Sequence, residues 1–99
     1  MIDGLVTGKL HGKPVERTGQ NGRPYVIAKV LAPNGEGEAH IVNVITFIDG
    51  VGDSLLKLDD GDVLTLTGSL LPKVWTDREG VARASLDMVA QKILSVQLR

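Results

Sequence analysis

Residues 61–80 decide the fold and read Gly61-Asp-Val-Leu-Thr-Leu-Thr-Gly-Ser-Leu-Leu-Pro-Lys-Val-Trp-Thr-Asp-Arg-Glu-Gly80. From Val63 onward, leucine and glycine alternate with threonine and serine, which is the two-residue period of a half-buried strand. The strand continues to Trp75 and meets a polar run at 76–80 that predicts a hairpin tip. The single tryptophan therefore lies beside Lys73 on a strand near a loop. An indole in that position suits a flat partner such as a nucleobase, with phosphates close by.

The composition is that of a small protein without cysteine. Its 99 residues, 42% of them hydrophobic, predict a single domain over 1–99 with a modest core. The absence of cysteine excludes disulfides, thiolate metal sites and cysteine nucleophiles. No apolar run approaches the ~18 residues of a membrane span, and the N-terminus lacks a secretion pattern, so we expect a soluble, cytoplasmic protein without a membrane partner.

The charges are unevenly distributed along the chain. The net charge is −1, which by itself favours neither nucleic acid nor membrane. Segment 49–62 holds five of the 12 acidic side chains and one of the 11 basic ones, which leaves 7 acidic and 10 basic side chains elsewhere. A basic surface away from this acidic segment is therefore compatible with the composition.

The remainder of the chain divides into strands, turns and one helix. A two-residue period predicts further strands over 2–11, 25–32 and 39–48, with both faces of 39–48 largely covered, and a fifth strand is expected over 82–90 after the hairpin tip. Glycine, proline and asparagine predict a loop over 12–22 and a turn over 33–37. Segment 91–99 is expected to continue extended or to form a final short piece.

One short helix is expected between the third and fourth strands. Val51, Leu55 and Leu58 have helical spacing and predict about two turns over 51–58, with Asp53 as a candidate cap. Five strands with one helix in this place are the order of an all-β OB-fold, a small closed Greek-key barrel.

Short motifs in a defined order extend along nearly the whole chain. They are Gly8-Lys-Leu10 with Pro14, Arg17 and Gly22, then Tyr25-Val-Ile-Ala28, Val44-Ile-Thr-Phe47, Gly61-Asp-Val63, Thr67-Gly-Ser-Leu70, Trp75-Thr-Asp77, Gly80 and Leu86-Asp-Met-Val-Ala90. Their joint order and spacing are more specific than any single motif, above all a leucine–glycine strand that leads to Trp-Thr-Asp and then to glycine. In this order and spacing the chain resembles the bacterial single-stranded DNA-binding protein family.

The resemblance implies a function and an assembly. A member of this family would bind single-stranded DNA with little sequence preference in replication, repair and recombination, and would associate with the nucleoid. It would be a homodimer or homotetramer whose first strands, here 2–10, meet across a two-fold axis. It would be neither an enzyme nor dependent on a cofactor.

The resemblance also implies three binding residues. Trp75 and Phe47 match residues on which the family stacks bases, and Lys73 matches a residue that contacts phosphate. Further DNA contacts are proposed from residue type alone: Tyr25, Lys9, Lys13, Arg17, Arg23, Arg78 and Arg83. Alternatively, Trp75 packs against a neighbouring subunit, Phe47 lies in the core, Tyr25 serves packing or dimer contact, and the basic side chains are solvated.

The sequence also departs from the family pattern. Ile41 stands where the family has a tryptophan, and the loop over 33–38 is short and has no aromatic residue. Uncharged or acidic residues occupy positions that are often basic: Asn43, Asp59, Asp60, Leu71 and Val74. The family has an acidic-tipped tail that recruits repair proteins, and no such tail follows the expected barrel up to Arg99, so we expect a member without it. These departures describe a tail-less, divergent member with moderate, salt-sensitive binding.

Two other functions stay open at this point. One is an adaptor similar to primosomal replication protein N, an OB-fold dimer that links single-stranded DNA to a helicase-loading complex and to other replication or primosome proteins. The other is a protein-interaction OB-fold whose DNA affinity has decayed. Phosphate-loop, nucleophile-elbow and zinc-helix motifs are absent. His11, His40 and the aspartates of 49–62 lack metal-ligand spacing, so no metal site is expected.

Overall fold

A computed structural model describes residues 2–33 and 35–97. These residues form six strands and one helix: β1 Ile2–Leu10, β2 Val15–Thr18, β3 Pro24–Pro33, β4 Ala39–Thr46, α1 Asp49–Leu56, β5 Val63–Thr76 and β6 Ala82–Gln97. The helix is too short and too polar to cross a membrane, and the described residues contain no other helix that could.

The six strands form one sheet that closes on itself. The strand order is β1-β5-β6-β4-β3-β2, and β1 also pairs with β3 through Lys9 and Leu10. All pairings are antiparallel except that between β4 and β6, which is parallel. The predicted all-β OB-fold barrel, with its helix between the β4 strand and the β5 strand, is confirmed.

The hydrophobic core of the barrel consists of aliphatic residues and one methionine, and the polar residues Thr46 and Asp62 are also buried. Side chains of alternate residues point inward on β1, β3, β4, β5 and β6, and the helix seals one end of the barrel with Val51 and Leu55. The buried hydrophobic residues are Val6, Leu10, Val26, Ala28, Val30, Val42, Val44, Val51, Leu55, Leu58, Leu64, Leu66, Met88 and Ala90. None of the three aromatic residues of the chain is among them.

Two strands approach each other closely where β1 meets β3. A Cβ atom added at Gly8 would overlap the backbone carbonyl of Leu31. Glycine is required here because the sheet curves sharply to close the ring.

The predicted loop over 12–22 is wrong in part, because it contains strand β2. Val15–Thr18 pairs with Pro24–Ile27 of β3, and the two strands are joined by a turn in which the Gly19 N–H donates to the Arg23 carbonyl oxygen at 2.8 Å. All four β2 residues are exposed, so the segment has no buried face and no alternation of hydrophobic residues. Its conformation comes from hydrogen bonds to the edge of β3.

The helix lies two residues earlier than predicted. It covers Asp49–Leu56, and its N-cap is Ile48, which makes no side-chain capping bond. The predicted capping role of Asp53 is therefore wrong, because this residue lies in the middle of the helix. Asp49 in the first turn supplies the favourable negative charge instead.

Strand β4 is covered on one face only, contrary to the expectation from its sequence. Val42 and Val44 are buried, whereas Ile41 is exposed on the other face. Strand β6 extends the predicted fifth strand through Gln97 without a break, so segment 91–97 is extended. The predictions for Asn34 in the 33–37 turn and for residues 98–99 lie outside the described residues.

The close approach at Gly8 gives a test of the barrel geometry. Gly8→Ala should lower the free energy of unfolding by about 1–3 kcal/mol, because the new methyl group meets backbone rather than a flexible side chain. Urea unfolding measures the change. Gly50→Ala is the matched control: it has open space around it on the helix and should raise stability by up to about 1 kcal/mol. Equal effects of the two substitutions would contradict this geometry.

Candidate nucleic-acid interface

The outward side chains of four adjacent strands form one continuous surface, which we call the outer sheet face. Strands β3, β4, β6 and β5 lie side by side in this order. Their outward residues are Tyr25, Ile27 and Lys29 on β3, Ile41, Asn43 and Ile45 on β4 with Phe47 just after it, Arg83, Ser85, Asp87 and Val89 on β6, and Leu71, Lys73 and Trp75 on β5. All three aromatic side chains of the protein belong to this face.

Trp75 stands at one end of the outer sheet face, on the arm that β5 and β6 extend beyond the barrel. The indole is 53% exposed and lies opposite Arg83 in the strand register. It lines a groove together with Lys29, Ile41, Asn43, Lys73, Arg83 and Asp87. The predicted juxtaposition of an exposed indole with cationic side chains is therefore present.

The hairpin tip beyond Trp75 is fixed by the carboxylate of Asp77. It accepts hydrogen bonds from the backbone N–H groups of Glu79 and Val81, each at 2.9 Å, and from Arg83 Nε at 3.0 Å. Of these, the Val81 N–H is the main cause that lowers the pKa of Asp77 below its ordinary value of 3.8, against a smaller opposing effect of desolvation. Asp77 thus holds the tip and one of the cations beside the indole.

Phe47 and Tyr25 occupy the opposite end of the same face. Phe47 is 62% exposed, and its ring centroid lies 6.0 Å from that of Tyr25 with the planes inclined at 47°. Arg23 and Asn21, from the turn between β2 and β3, line the same groove. The alternative that Phe47 is a core residue does not agree with this exposure.

The two aromatic ends are well separated. Ala39 shares a groove with Trp75, and it lies eight residues from Phe47 along β4 and its extension. At ~3.3 Å per residue this corresponds to about 26 Å along the sheet. The structure therefore does not bring Trp75 and Phe47 into one pocket, and any single ligand that contacts both must be extended.

An aliphatic groove with a polar row at its edge connects the two ends. Val15, Ile27 and Ile45 line the groove, with Lys13 and His11 at its side. The polar row is formed by Lys29, Asn43 and Asp87, which are direct neighbours across β3, β4 and β6, and all three also line this groove.

Asp87 is the most highly connected side chain in the polar row. Its Oδ2 atom lies 2.7 Å from Nζ of Lys73, and its Oδ1 accepts a hydrogen bond from Asn43 Nδ2 at 3.3 Å. The hydrogen bond from Lys73 is the main cause that lowers the pKa of Asp87 below 3.8, with desolvation opposing it and Asn43 assisting. The predicted phosphate ligand Lys73 is thus already paired with a carboxylate.

Lys13 is also engaged within the protein. Its Nζ atom donates to Asp59 Oδ1 at 3.0 Å and to the carbonyl oxygen of Leu58 at 3.1 Å. Nearby, the Gly12 N–H donates to Asp60 Oδ1 at 2.7 Å. The two aspartates that depart from the family pattern therefore attach the connection between β1 and β2 to the turn before β5.

The other basic candidates are distributed unevenly. Arg23 lies at the Phe47 end, and Arg17 is exposed on β2 opposite Tyr25. Arg78 is exposed at the hairpin tip, and Lys9 is exposed on β1 opposite Val63. Neither of these last two lines the grooves beside Trp75 or Phe47.

The central part of the face was not predicted from the sequence. No role was expected there for Asp87 or for the isoleucine pair Ile27 and Ile45. Asp87 lies four residues after Arg83, so strand alternation predicts that both side chains point to the same face. The pairing of Asp87 with Lys73 is not predictable in this way, because it depends on the register between β5 and β6. Within residues 2–33 and 35–97, no cluster of three or more metal-ligating side chains is present.

Comparison with known proteins supports the OB-fold through structure alone. No protein-family model matches the sequence, and no curated protein matches it. Among solved structures, the chain is similar to the mitochondrial single-stranded DNA-binding protein Rim1 of S. cerevisiae, with a TM-score of 0.75 at 14% identity, covering 99% of this chain and 97% of that one. It is also similar to a small single-stranded DNA-binding protein from Streptomyces coelicolor, with a TM-score of 0.69 at 20% identity, covering 99% and 94%. The OB-fold of this chain is of the type found in these single-stranded DNA-binding proteins.

The two lowered pKa values predict how the face responds to acid. Each carboxylate stabilises the fold above pH 3.8, and this stabilisation is lost as the pH falls through the lowered pKa, so the response lies below pH 3.8. NMR titration of the carboxyl carbons should give midpoints below 3.8 for both Asp77 and Asp87. In Lys73→Gln the pKa of Asp87 should rise towards 3.8 while that of Asp77 stays unchanged. If the pKa values of Asp77 and Asp87 both rose in this variant, the two carboxylates would not be paired independently.

Proposed function

We propose that this protein binds single-stranded DNA with little sequence preference, in replication, repair or recombination. The observation that carries the proposal is the position of the aromatic residues. The core contains none, and Trp75, Phe47 and Tyr25 all belong to the outer sheet face, where rings can stack on bases. The single-stranded DNA-binding proteins that share its fold add support to this function.

The geometry supports a strand that runs along the face from one aromatic end to the other. Bases would stack on Phe47 at one end and on Trp75 at the other, and the aliphatic groove between them offers apolar contact. Lys29, Arg23 and Lys73 would neutralise phosphates along this path. Stacking and electrostatic contact of this kind tolerate every base, because each base has an apolar face and each nucleotide a phosphate.

The expected affinity is moderate. Stacking contributes roughly 1–3 kcal/mol per base, so two stacking sites supply about 2–6 kcal/mol, whereas a nanomolar complex needs about 12 kcal/mol. Phosphate contacts and linked subunits would supply the remainder, and the first of these weakens with salt. Carboxylates already hold Lys13, Lys73 and Arg83, which reduces the phosphate contribution further.

A homodimer or homotetramer is part of the proposal. Among the described strands, β1 pairs with β5 along Ile2–Lys9 but with β3 only at Lys9 and Leu10. The other edge of segment 2–8 therefore has no strand beside it, and exposed Ile2 and Leu5 lie on the same strand. A β1 strand from a second subunit would form hydrogen bonds with the backbone groups of that edge.

A second function, a protein adaptor, is supported by a different surface. On the side of the β5–β6 arm opposite Trp75, the outward residues are all uncharged: Pro72, Val74, Thr76, Ala82 and Ala84. Val74 is 75% exposed there. A replication or primosome protein that docks on this side would make the chain an adaptor, with or without DNA on the outer sheet face.

The proposed stacking gives a direct test. Trp75→Leu and Phe47→Leu should each weaken binding of fluorescently labelled oligo-dT by roughly five- to 150-fold, the equivalent of about 1–3 kcal/mol. Fluorescence anisotropy at low salt measures the change. Val74→Ala, on the opposite side of the arm, is the control and should bind as the wild type does. Wild-type affinity in both leucine variants would exclude stacking, and retained capture of a primosome protein by them would favour the adaptor.

The open edge of β1 predicts the assembly. Sedimentation equilibrium should give a mass of two or four chains of 10.6 kDa each. In addition, the amides of segment 2–8 that face away from β5 should exchange slowly, because a second β1 strand would hydrogen-bond to them. A monomer at all concentrations, with these amides exchanging fast, would contradict the proposed oligomer.

A further inference from the structure

Both cations that flank Trp75 are bound by carboxylates of the same β5–β6 arm. Lys73 Nζ lies 2.7 Å from Asp87 Oδ2, and Arg83 Nε lies 3.0 Å from Asp77 Oδ2. These pairs have different surroundings. Asp77 has a structural role, since it also accepts two backbone N–H groups at the hairpin tip. Within residues 2–33 and 35–97, Asp87 accepts no backbone N–H beside its bonds to Lys73 and Asn43.

Asp87 occupies the centre of the outer sheet face. It lines both the groove beside Trp75 and the aliphatic groove that leads towards Phe47. A strand that passes from one aromatic end to the other must therefore cross this carboxylate. The side chains of Lys73 and Asp87 are 53% and 35% exposed, so both are accessible to a ligand.

We propose that Asp87 is an affinity-limiting residue that occupies Lys73 in the unbound protein and opposes the approach of a phosphate to the centre of the face. This inference rests on the proposed binding of single-stranded DNA. A phosphate that binds Lys73 must replace the Asp87 carboxylate, and the displaced carboxylate stays close enough to repel it. The residue thereby keeps binding reversible on a face whose aromatic residues would otherwise hold the strand more tightly.

The size of the effect follows from the exposure of the pair. An exposed ion pair is easily broken, and repulsion across a wet groove is partly screened, so the limit that Asp87 sets is modest. Asp87→Asn should bind oligo-dT about five- to tenfold more tightly at low salt. The released Lys73 adds one phosphate contact, so the plot of log K against log salt concentration should steepen by about 0.7.

The experiment compares four proteins in the same anisotropy titration with labelled oligo-dT and oligo-dC at several salt concentrations. These are the wild type, Asp87→Asn, the double variant Asp87→Asn with Lys73→Gln, and Glu79→Gln. Glu79 is exposed at the hairpin tip and lines neither groove of the outer sheet face, so its substitution controls for the change of net charge alone. Circular dichroism melting verifies that each variant is folded.

The inference is supported if Asp87→Asn binds both oligonucleotides more tightly and with a steeper salt dependence, the double variant loses the added steepness, and Glu79→Gln behaves as the wild type does. It is overturned if Asp87→Asn leaves affinity unchanged, if Glu79→Gln gives the same gain, or if Asp87→Asn weakens oligo-dC binding alone, since the carboxylate would then be reading a base. If neither the wild type nor any variant binds, the proposed function fails and this inference fails with it. If the wild type binds and Asp87→Asn binds no more tightly, only the role of Asp87 is excluded, and the proposed DNA binding stands.

Discussion

The parallel pairing of β4 with β6 is the contact on which the rest of the candidate site depends. It joins two segments more than 40 residues apart, Val42–Ile45 and Leu86–Val89, after the chain has passed through the helix and β5. This pairing places the strand that leads to Phe47 beside the arm that carries Trp75. It also brings Asn43 next to Asp87. Without it the aromatic residues would belong to separate hairpins, and no continuous face would exist.

The aromatic residues are outside because other residues occupy the inward positions of the strands. The ring of five strands, with a helix across one end, is filled by valine, leucine, alanine and one methionine. The three aromatic side chains lie on the outward face of the strands or directly after them. The outward positions of β4 and β6 also hold polar residues. The alternation that directs aliphatic side chains into the core therefore places apolar and charged side chains together on the outer surface.

Much of this arrangement is predictable from sequence because it follows from local patterns. Alternation located β1, β3, β4 and β5, and helical spacing identified Val51, Leu55 and Leu58 as buried. Strand β2 was not predictable, because it has no buried face and depends on the free edge of β3. The pairing of Lys73 with Asp87 was equally hidden: it is set by the register between two strands, and a sequence shows each strand but not their relative shift.

Several basic side chains form ion pairs with carboxylates for the same reason. In a protein with nearly balanced charge, cations on a small surface lie close to carboxylates, and here Lys13, Lys73 and Arg83 each contact one. The basic surface expected from the charge distribution is therefore partly neutralised within the fold. Recognition of an anionic polymer would then rely more on rings and aliphatic groups than in a strongly cationic protein.

The placement of all three aromatic residues outside the core also has a consequence for spectroscopy. Every chromophore that absorbs in the near ultraviolet belongs to the outer sheet face, so near-ultraviolet dichroism reports the order of that surface and is blind to packing inside the barrel. Secondary-structure signals from the amide bonds report the barrel itself. The two wavelength ranges therefore distinguish a change in the order of the outer sheet face from unfolding of the whole chain, without any added label.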